Sequence, residues 1–81
     1  MTTEQEIISF IESELLRGKA LRVDPLASGM IDSLATETLI AWLEETRELS
    51  FQDEDFAAHN FASIAALAAL VDAKQAAGTR S

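Results

Sequence analysis

The residues with the clearest chemical potential lie in the run Gly29-Met30-Ile31-Asp32-Ser33-Leu34, where one serine follows an acidic residue at the expected start of a helix. A serine that acts as a catalytic nucleophile needs a neighbouring base. The chain has no Gly-x-Ser-x-Gly motif and only one histidine, His59. The run has the outline of an attachment site, and the absence of a base argues against a catalytic centre. The alternative is that Ser33 is a helix cap or an exposed polar residue without further function.

No other combination of residue types predicts a catalytic or metal site. The chain has no cysteine, and a single histidine cannot form the histidine or cysteine clusters of a zinc site. The acidic run Asp53-Glu54-Asp55 lacks the glycine and the distal glutamate of a calcium loop, so we interpret it as the acidic start of a helix. Trp42 is interpreted as a core aromatic residue, with contact to a bound ligand as the alternative. His59 is interpreted as a helix-end residue.

Two long helices are predicted in the first half of the chain. Thr3 and Glu6 form a capping-box pattern at the start of the first helix, and Gly18 is expected to end it. Asp32 is the expected N-cap of the second helix. The long connection of residues 18–31 contains several apolar residues, so we expect it to pack against the helices. The predicted core positions in these two helices are Ile7, Ile8, Ile11, Leu15, Leu39, Ile40 and Leu43.

A short helix and a further long helix are predicted in the second half. The short helix is expected to begin in the acidic run of residues 52–55 and to end at Asn60 in a left-handed conformation. Ser63 is the expected N-cap of the last helix, whose apolar residues Ile64, Leu67, Ala68 and Val71 recur at helical spacing. We therefore expect an all-α fold: a small four-helix bundle, three helices long and one short, with a long loop between helices one and two. Residues 1–81 are expected to form a single domain, with residues 3–74 ordered and residues 75–81 a flexible tail.

The order of these features resembles that of the acyl carrier and peptidyl carrier protein family. The resemblance covers nearly the whole chain, from the first predicted helix to the last. In family members, an attachment helix begins with Asp-Ser-Leu, continues to a Glu-Glu pair, and is followed by an acidic turn, a short helix and an amphipathic helix. The matching segments here, in order, are Asp32-Ser33-Leu34, Leu39-Ile40, Leu43-Glu44-Glu45, Phe51, Asp53-Glu54-Asp55 and Ile64 to Val71.

The resemblance implies that Ser33 carries a 4'-phosphopantetheine group, with Asp32 and Leu34 beside the attachment point. A cargo would be held on that group as a thioester, and the chain itself would not be an enzyme. The implied partners are a phosphopantetheinyl transferase that uses coenzyme A and Mg²⁺, a ligase that loads an acyl or aminoacyl group, and a downstream acyl-transferring or synthase enzyme. Ile31 and Leu34 would frame the attachment point, and a core position for each is the alternative.

Three glutamates of the second helix, Glu37, Glu44 and Glu45, resemble the family's docking surface for basic partner enzymes. The alternative is that they form an ordinary solvated face. Departures from the fatty-acid-type pattern at Ala35, at Glu37-Thr38 and at Arg47 indicate a different set of partners. Residues 29–36 and 60–64 look closer to stand-alone aminoacyl carriers, including the D-alanyl carrier group. The resemblance thus favours a small aminoacyl cargo over a long fatty chain.

The formal net charge of −8 predicts basic partners and argues against nucleic acid as a ligand, because phosphate binding needs clustered Lys and Arg residues. Residues 1–6 lack the pattern of a signal peptide, and no run of about 18 apolar residues occurs. We therefore expect a soluble, cytoplasmic protein that does not enter a membrane. A function of another class also fits the sequence, namely a small acidic protein-protein interaction module without a prosthetic group.

Overall fold

The computed structural model describes residues 2–20, 22–29 and 31–76, and of Ser33 it describes the backbone alone. Every regular element in these residues is helical, which confirms the all-α prediction for them. The α-helices are α1 (Thr3–Phe10), α2 (Ser33–Arg47) and α3 (Ile64–Ala76). A π-helical turn, Ile11–Leu15, continues α1, and two 3₁₀ turns, Asp53–Phe56 and Ala58–Phe61, precede α3. Leu21 and Met30 of the predicted connection, and residues 77–81 of the predicted tail, lie outside the described residues.

The predicted four-helix bundle with a long loop is not confirmed, because two 3₁₀ turns replace the short third α-helix. Ala57 separates these turns with an extended backbone, φ −61° and ψ 144°, through which a continuous helix cannot pass. The prediction that Asn60 ends a helix in a left-handed conformation is wrong. Asn60 lies inside the second 3₁₀ turn, and its Nδ2 donates a hydrogen bond to the Asp55 carbonyl oxygen at 3.0 Å.

The helix α1 is capped one residue earlier than the sequence pattern predicts. The Thr2 hydroxyl accepts a hydrogen bond from the Gln5 backbone N–H at 3.1 Å, and the Gln5 side chain accepts one from the Thr2 N–H at 2.9 Å. This pair is the capping box. The predicted box of Thr3 and Glu6 is wrong, because Thr3 is the buried first residue of α1 and its hydroxyl donates to Asp72 of α3 instead.

A π-helical turn changes the direction of the side chains at the end of the first helix. The Leu16 N–H donates to the Ile11 carbonyl, five residues back, at 2.8 Å. Apolar residues spaced four apart drift around an α-helix, whereas a π turn rotates less per residue and counteracts the drift. Leu15 therefore still packs against the core that contains Ile7 and Ile11. The helix ends before Gly18, as predicted, where the chain turns with a φ of 90°.

The three α-helices meet in one apolar core. Leu39 and Leu43 bring α2 onto the side chains of α1 and α3, and all four predicted core residues of α3 are buried. A core position for Leu34, the alternative to a place beside the attachment point, is excluded, because this side chain is 73% exposed. Leu34 precedes Leu39 by five residues, which places the two about 140° apart around an α-helix. The fully buried aliphatic side chains are Ile7, Ile11, Leu39, Leu43, Leu67 and Val71.

Arg47 joins the ends of the three α-helices. Its Nη2 lies 2.8 Å from a carboxylate oxygen of Glu6 in α1 and donates to the Thr3 hydroxyl at 3.2 Å. Its Nη1 donates to the side chain of Gln75 in α3 at 2.6 Å. This network fixes the end of α2 opposite to Ser33. None of the helices in the described parts of the chain is long and apolar enough to cross a lipid bilayer.

Candidate functional site

The N-terminus of α2 is built by Asp32, as the sequence predicts. Asp32 has an extended backbone, and its carboxylate accepts a hydrogen bond from the Ala35 N–H at 2.8 Å. Thr36 reinforces this cap, because its N–H and its hydroxyl both donate to the Asp32 carbonyl at 2.9 Å. Asp32 is therefore the N-cap. Ser33 is consequently the first residue of α2.

Asp24 anchors the connection that leads to this helix start. One oxygen of its carboxylate accepts hydrogen bonds from the Leu26 and Ala27 N–H groups, each at 3.0 Å. The other accepts from the N–H of Ile64, the first residue of α3, at 2.9 Å. A single carboxylate thus joins the turn at residues 25–29 to the start of α3. This role of Asp24 is not predicted from the sequence, where its only signal is an Asp directly before Pro25 at a turn.

The same connection packs against the core, as predicted, through Pro25, Leu26 and Ile31, whereas most of its other described residues are exposed. Pro25 is fully buried, and the Ile31 N–H donates to its carbonyl at 3.3 Å. Leu26 and Ile31 contact the core, whereas Val23 is half-exposed. Of the two apolar residues expected to frame Ser33, Ile31 is therefore partly buried. Leu34, on the other side of Ser33, presents an apolar surface to solvent.

An open groove of about 560 Å³ lies along α2, beginning at its N-cap. Its apolar wall is formed mainly by Ile31, Ile40 and Phe56, and carboxylates of α2 stand along its edge. We call it the acidic groove. Its lining residues are Ile31, Asp32, Thr36, Glu37, Ile40, Ala41, Glu44 and Phe56.

The three predicted docking glutamates have different positions relative to the acidic groove. Glu37 is exposed at the groove. Glu44 is half-buried, and its Oε2 accepts a hydrogen bond from the Phe51 N–H at 2.8 Å, so this glutamate also holds the chain that follows α2. Glu45 is exposed, lies about 100° around the helix from Glu44, and is not among the residues that line the groove. The structure thus brings Asp32, Glu37 and Glu44 together and separates Glu45 from them.

Phe56 is a groove residue that the sequence analysis missed. It belongs to the first 3₁₀ turn, and its side chain is half-exposed. Its ring centroid lies 5.9 Å from that of Phe51 and also 5.9 Å from that of Phe61. These rings form an aromatic row in which Phe56 faces both the groove and solvent. Its sequence position, directly after three acidic residues, carries no periodic signal for such a role.

A nearly buried ion pair fixes the 3₁₀ turn that carries Phe56. Lys74 Nζ of α3 lies 2.6 Å from Asp55 Oδ2, with the two side chains 10% and 13% exposed. The Gln52 N–H donates to the same oxygen at 2.8 Å. The hydrogen bond from Gln52 and, after it, the contact with Lys74 lower the pKa of Asp55 below its usual value of 3.8. Asp55 thus stays ionised and holds this wall of the acidic groove against α3.

The remaining candidates of the sequence analysis form no second reaction centre in the described residues. No group of three or more His, Cys, Asp or Glu side chains within them could hold a metal ion. His59 is exposed in the second 3₁₀ turn. Trp42 is half-buried and stacks on Phe10 with ring centroids 4.4 Å apart, so it serves the packing of α1 against α2.

Comparison of the chain with protein-family models, with curated proteins and with solved structures gives no match. Function is therefore inferred from the chemistry and geometry of the site.

Proposed function

We propose that this chain is an acyl or aminoacyl carrier protein that holds its cargo on a 4'-phosphopantetheine group attached to Ser33. The observation that carries the proposal is the sequence Asp32-Ser33-Leu34 placed at the start of α2, with Asp32 as the N-cap and Ser33 as the first helical residue. The fold would then be a variant of the carrier's four-helix bundle. In this variant the two 3₁₀ turns, Asp53–Phe56 and Ala58–Phe61, take the place of the short third helix.

The helix start suits an attached phosphodiester. The first N–H groups of an α-helix have no intrahelical acceptor, and the helix dipole is positive at this end. The first turn of α2 contains no acidic residue, and the carboxylate of the preceding Asp32 is bonded to the Ala35 N–H. An anion joined to residue 33 would therefore be stabilised by the backbone of α2. Ser33 needs no activating base in this chain, because the transferase supplies the chemistry.

The surroundings of Ser33 suit contact with other proteins. Leu34 is 73% exposed next to the attachment point, and the acidic groove begins at Asp32. An exposed apolar side chain beside carboxylates is complementary to a partner with an apolar contact and basic residues around it. Asp32, Glu37 and Glu44 are the acids that would meet such a partner at the groove, and Leu34 would be its apolar contact.

When attached, the prosthetic group would supply a terminal thiol that carries the cargo as a thioester. This chain would provide a rigid attachment point and a docking surface, and would catalyse no reaction itself. The proposed partners are a phosphopantetheinyl transferase, a ligase that loads an acyl or aminoacyl group, and a downstream transferring or synthase enzyme, all in the cytoplasm. The resemblance favours an aminoacyl cargo.

A second candidate function is a small acidic interaction module without a prosthetic group. The exposed Phe56 and Leu34 side chains and the carboxylates of the acidic groove favour it, because they form a docking surface whether or not Ser33 is modified. The two candidates differ in one respect that can be measured, which is the covalent state of Ser33 after treatment with a transferase.

The test is intact-mass measurement after incubation of the unmodified chain with coenzyme A, Mg²⁺ and a promiscuous phosphopantetheinyl transferase. The parent chain should gain one phosphopantetheine group, and Ser33→Ala should gain none. Ser28→Ala is the matched control, because Ser28 is an exposed serine five residues earlier, and this variant should be modified like the parent. Circular dichroism should show that Ser33→Ala remains helical. An unmodified parent, or equal modification of Ser33→Ala, would contradict the proposal.

A further inference from the structure

A second groove lies between α1 and α2, on the other flank of α2. It has a volume of about 310 Å³. Ile40 of the acidic groove and Trp42 of this second groove lie about 200° apart around α2, so the two grooves open in different directions. We call the second one the aromatic groove. Its lining residues are Glu6, Ser9, Phe10, Ser13, Glu14 and Trp42.

The aromatic groove combines ring surface with oxygen acceptors. Phe10 and Trp42 stack with an angle of 18° between their planes, and both side chains are only partly buried. Ser9, Ser13 and Glu14 are exposed along the same groove and offer two hydroxyls and a carboxylate. Stacking covers one face of each ring, and the opposite face of a ring attracts a cation, whose hydrogen bonds the surrounding oxygens accept.

The backbone at the groove is also unusual. Ser13 and Glu14 belong to the π-helical turn, in which the Leu16 N–H reaches back to the carbonyl of Ile11. Such turns are rare in globular proteins and occur frequently at functional sites. Here the turn carries Ser13 and Glu14, which line the same groove as Trp42. The irregular backbone and the ring pair are independent features that meet at one place.

We propose that the aromatic groove is a docking site for an arginine side chain of a basic partner protein. A guanidinium is planar, stacks on aromatic rings and directs five N–H donors in its plane, which matches rings bordered by hydroxyl and carboxylate oxygens. The net charge of −8 favours a basic partner and disfavours a second copy of this chain, since like-charged copies repel each other. Of the two carboxylates at the groove, Glu6 is paired with Arg47, so Glu14 is the acid that would meet the arginine.

This site would act independently of Ser33. The acidic groove adjoins the attachment point, whereas the aromatic groove lies on the opposite flank and contains no residue of the Asp32-Ser33-Leu34 motif. A partner could therefore hold the chain at the aromatic groove while Ser33 and its surroundings stay accessible.

The chain carries its own reporter for this site, because Trp42 is its only tryptophan. The probe is the peptide acetyl-LRALRAL-amide, titrated into the full unmodified chain at low salt while Trp42 fluorescence is recorded. The control peptide has citrulline in place of both arginines, which keeps the planar group and removes its charge. We expect a saturable change with the arginine peptide and an affinity about fivefold to tenfold lower for the citrulline peptide.

A substitution in the protein, rather than in the peptide, also tests this contact. Glu14→Gln should weaken binding of the arginine peptide by about threefold or more. Glu4→Gln makes the same charge change at an exposed residue of α1 outside the groove and should have a smaller effect. Equal affinities for the two peptides, or equal effects of the two variants, would overturn the proposal. Binding of free arginine as tight as that of the peptide would also overturn it, because the groove would then be a small-molecule site. None of these outcomes depends on whether Ser33 is modified.

Discussion

Replacing Lys74 by methionine should destabilise the fold measurably, because it breaks an ion pair that holds the wall of the acidic groove. Lys74 Nζ contacts Asp55 at 2.6 Å and also lies 5.7 Å from the centroid of the Phe51 ring. Methionine keeps most of the apolar length of the lysine side chain, so the main loss is the charge. The carboxylate of Asp55 would remain largely buried, with the Gln52 N–H still donating to it.

The size of the effect follows from the burial of the pair. Exposed ion pairs contribute about 0–1 kcal/mol, whereas breaking a fully buried pair costs about 3–5 kcal/mol. The side chains here are 10% and 13% exposed, and the hydrogen bond from Gln52 partly compensates the remaining charge. We therefore expect Lys74→Met to lower the free energy of unfolding by about 2 kcal/mol. In a domain of this size that corresponds to a decrease in Tm of about 8–16 °C.

Urea unfolding followed by circular dichroism measures this loss. Lys19→Met is the matched control, because Lys19 is exposed and the chemical change is identical, and it should change stability by less than about 0.5 kcal/mol. Asp55→Asn and the double variant complete a cycle in which the coupling between the two side chains should exceed about 1 kcal/mol. Equal stabilities of Lys74→Met and Lys19→Met would refute the claim that the pair holds the 3₁₀ turn.

Three further outcomes are expected. The lowered pKa of Asp55 contributes stability that is complete above the ordinary value of 3.8 and is lost as the pH falls through the lower folded-state value. Asp55→Asn should therefore lose less stability than the parent as the pH falls from neutral to below 3.8 in urea titrations, and equal losses would contradict this cause. Asp32→Ala should lower the free energy of unfolding by about 1 kcal/mol in thermal melts, and Asp32→Asn should restore most of it; identical melts for the two variants would exclude the capping role. Glu37→Gln should slow modification by the transferase more than Glu45→Gln does. The difference between the two rates should become smaller at high salt, where charges are screened over less than about 10 Å. Equal rates for the two variants at low salt would contradict a docking role of the acidic groove.

Two helix caps and the core of α3 are predicted correctly from the sequence, because their signals lie in neighbouring residues. Asp32 and Ser63 were both assigned as N-caps, and both cap helices here, since the Ala66 N–H donates to the Ser63 hydroxyl at 3.0 Å. The core of α3 was also predicted, because Ile64 to Val71 follow the helical period without interruption. These features depend on neighbours within one or two turns of the chain, which sequence patterns describe well.

Features that depend on contacts between distant segments were not predicted. In the sequence Thr3 is as good a candidate for the cap as Thr2. The contact of Thr3 with Asp72, 69 residues away, makes Thr2 the cap. Asp24 reaches across 40 residues to the start of α3. Of the acidic groove, only the carboxylates could be predicted from the sequence. The position of its apolar wall depends on contacts between segments that are distant in the chain.

The covalent assignment of the modification tests the central proposal most directly. The chain contains seven serines, so a mass increase alone does not identify the attachment residue. Fragment-ion mapping of the peptides from the transferase-treated chain should place one phosphopantetheine on Ser33 and none on Ser28 or on any other serine. A group found on another residue, or no group on any peptide, would contradict the proposal that this chain is a carrier protein attached through Ser33.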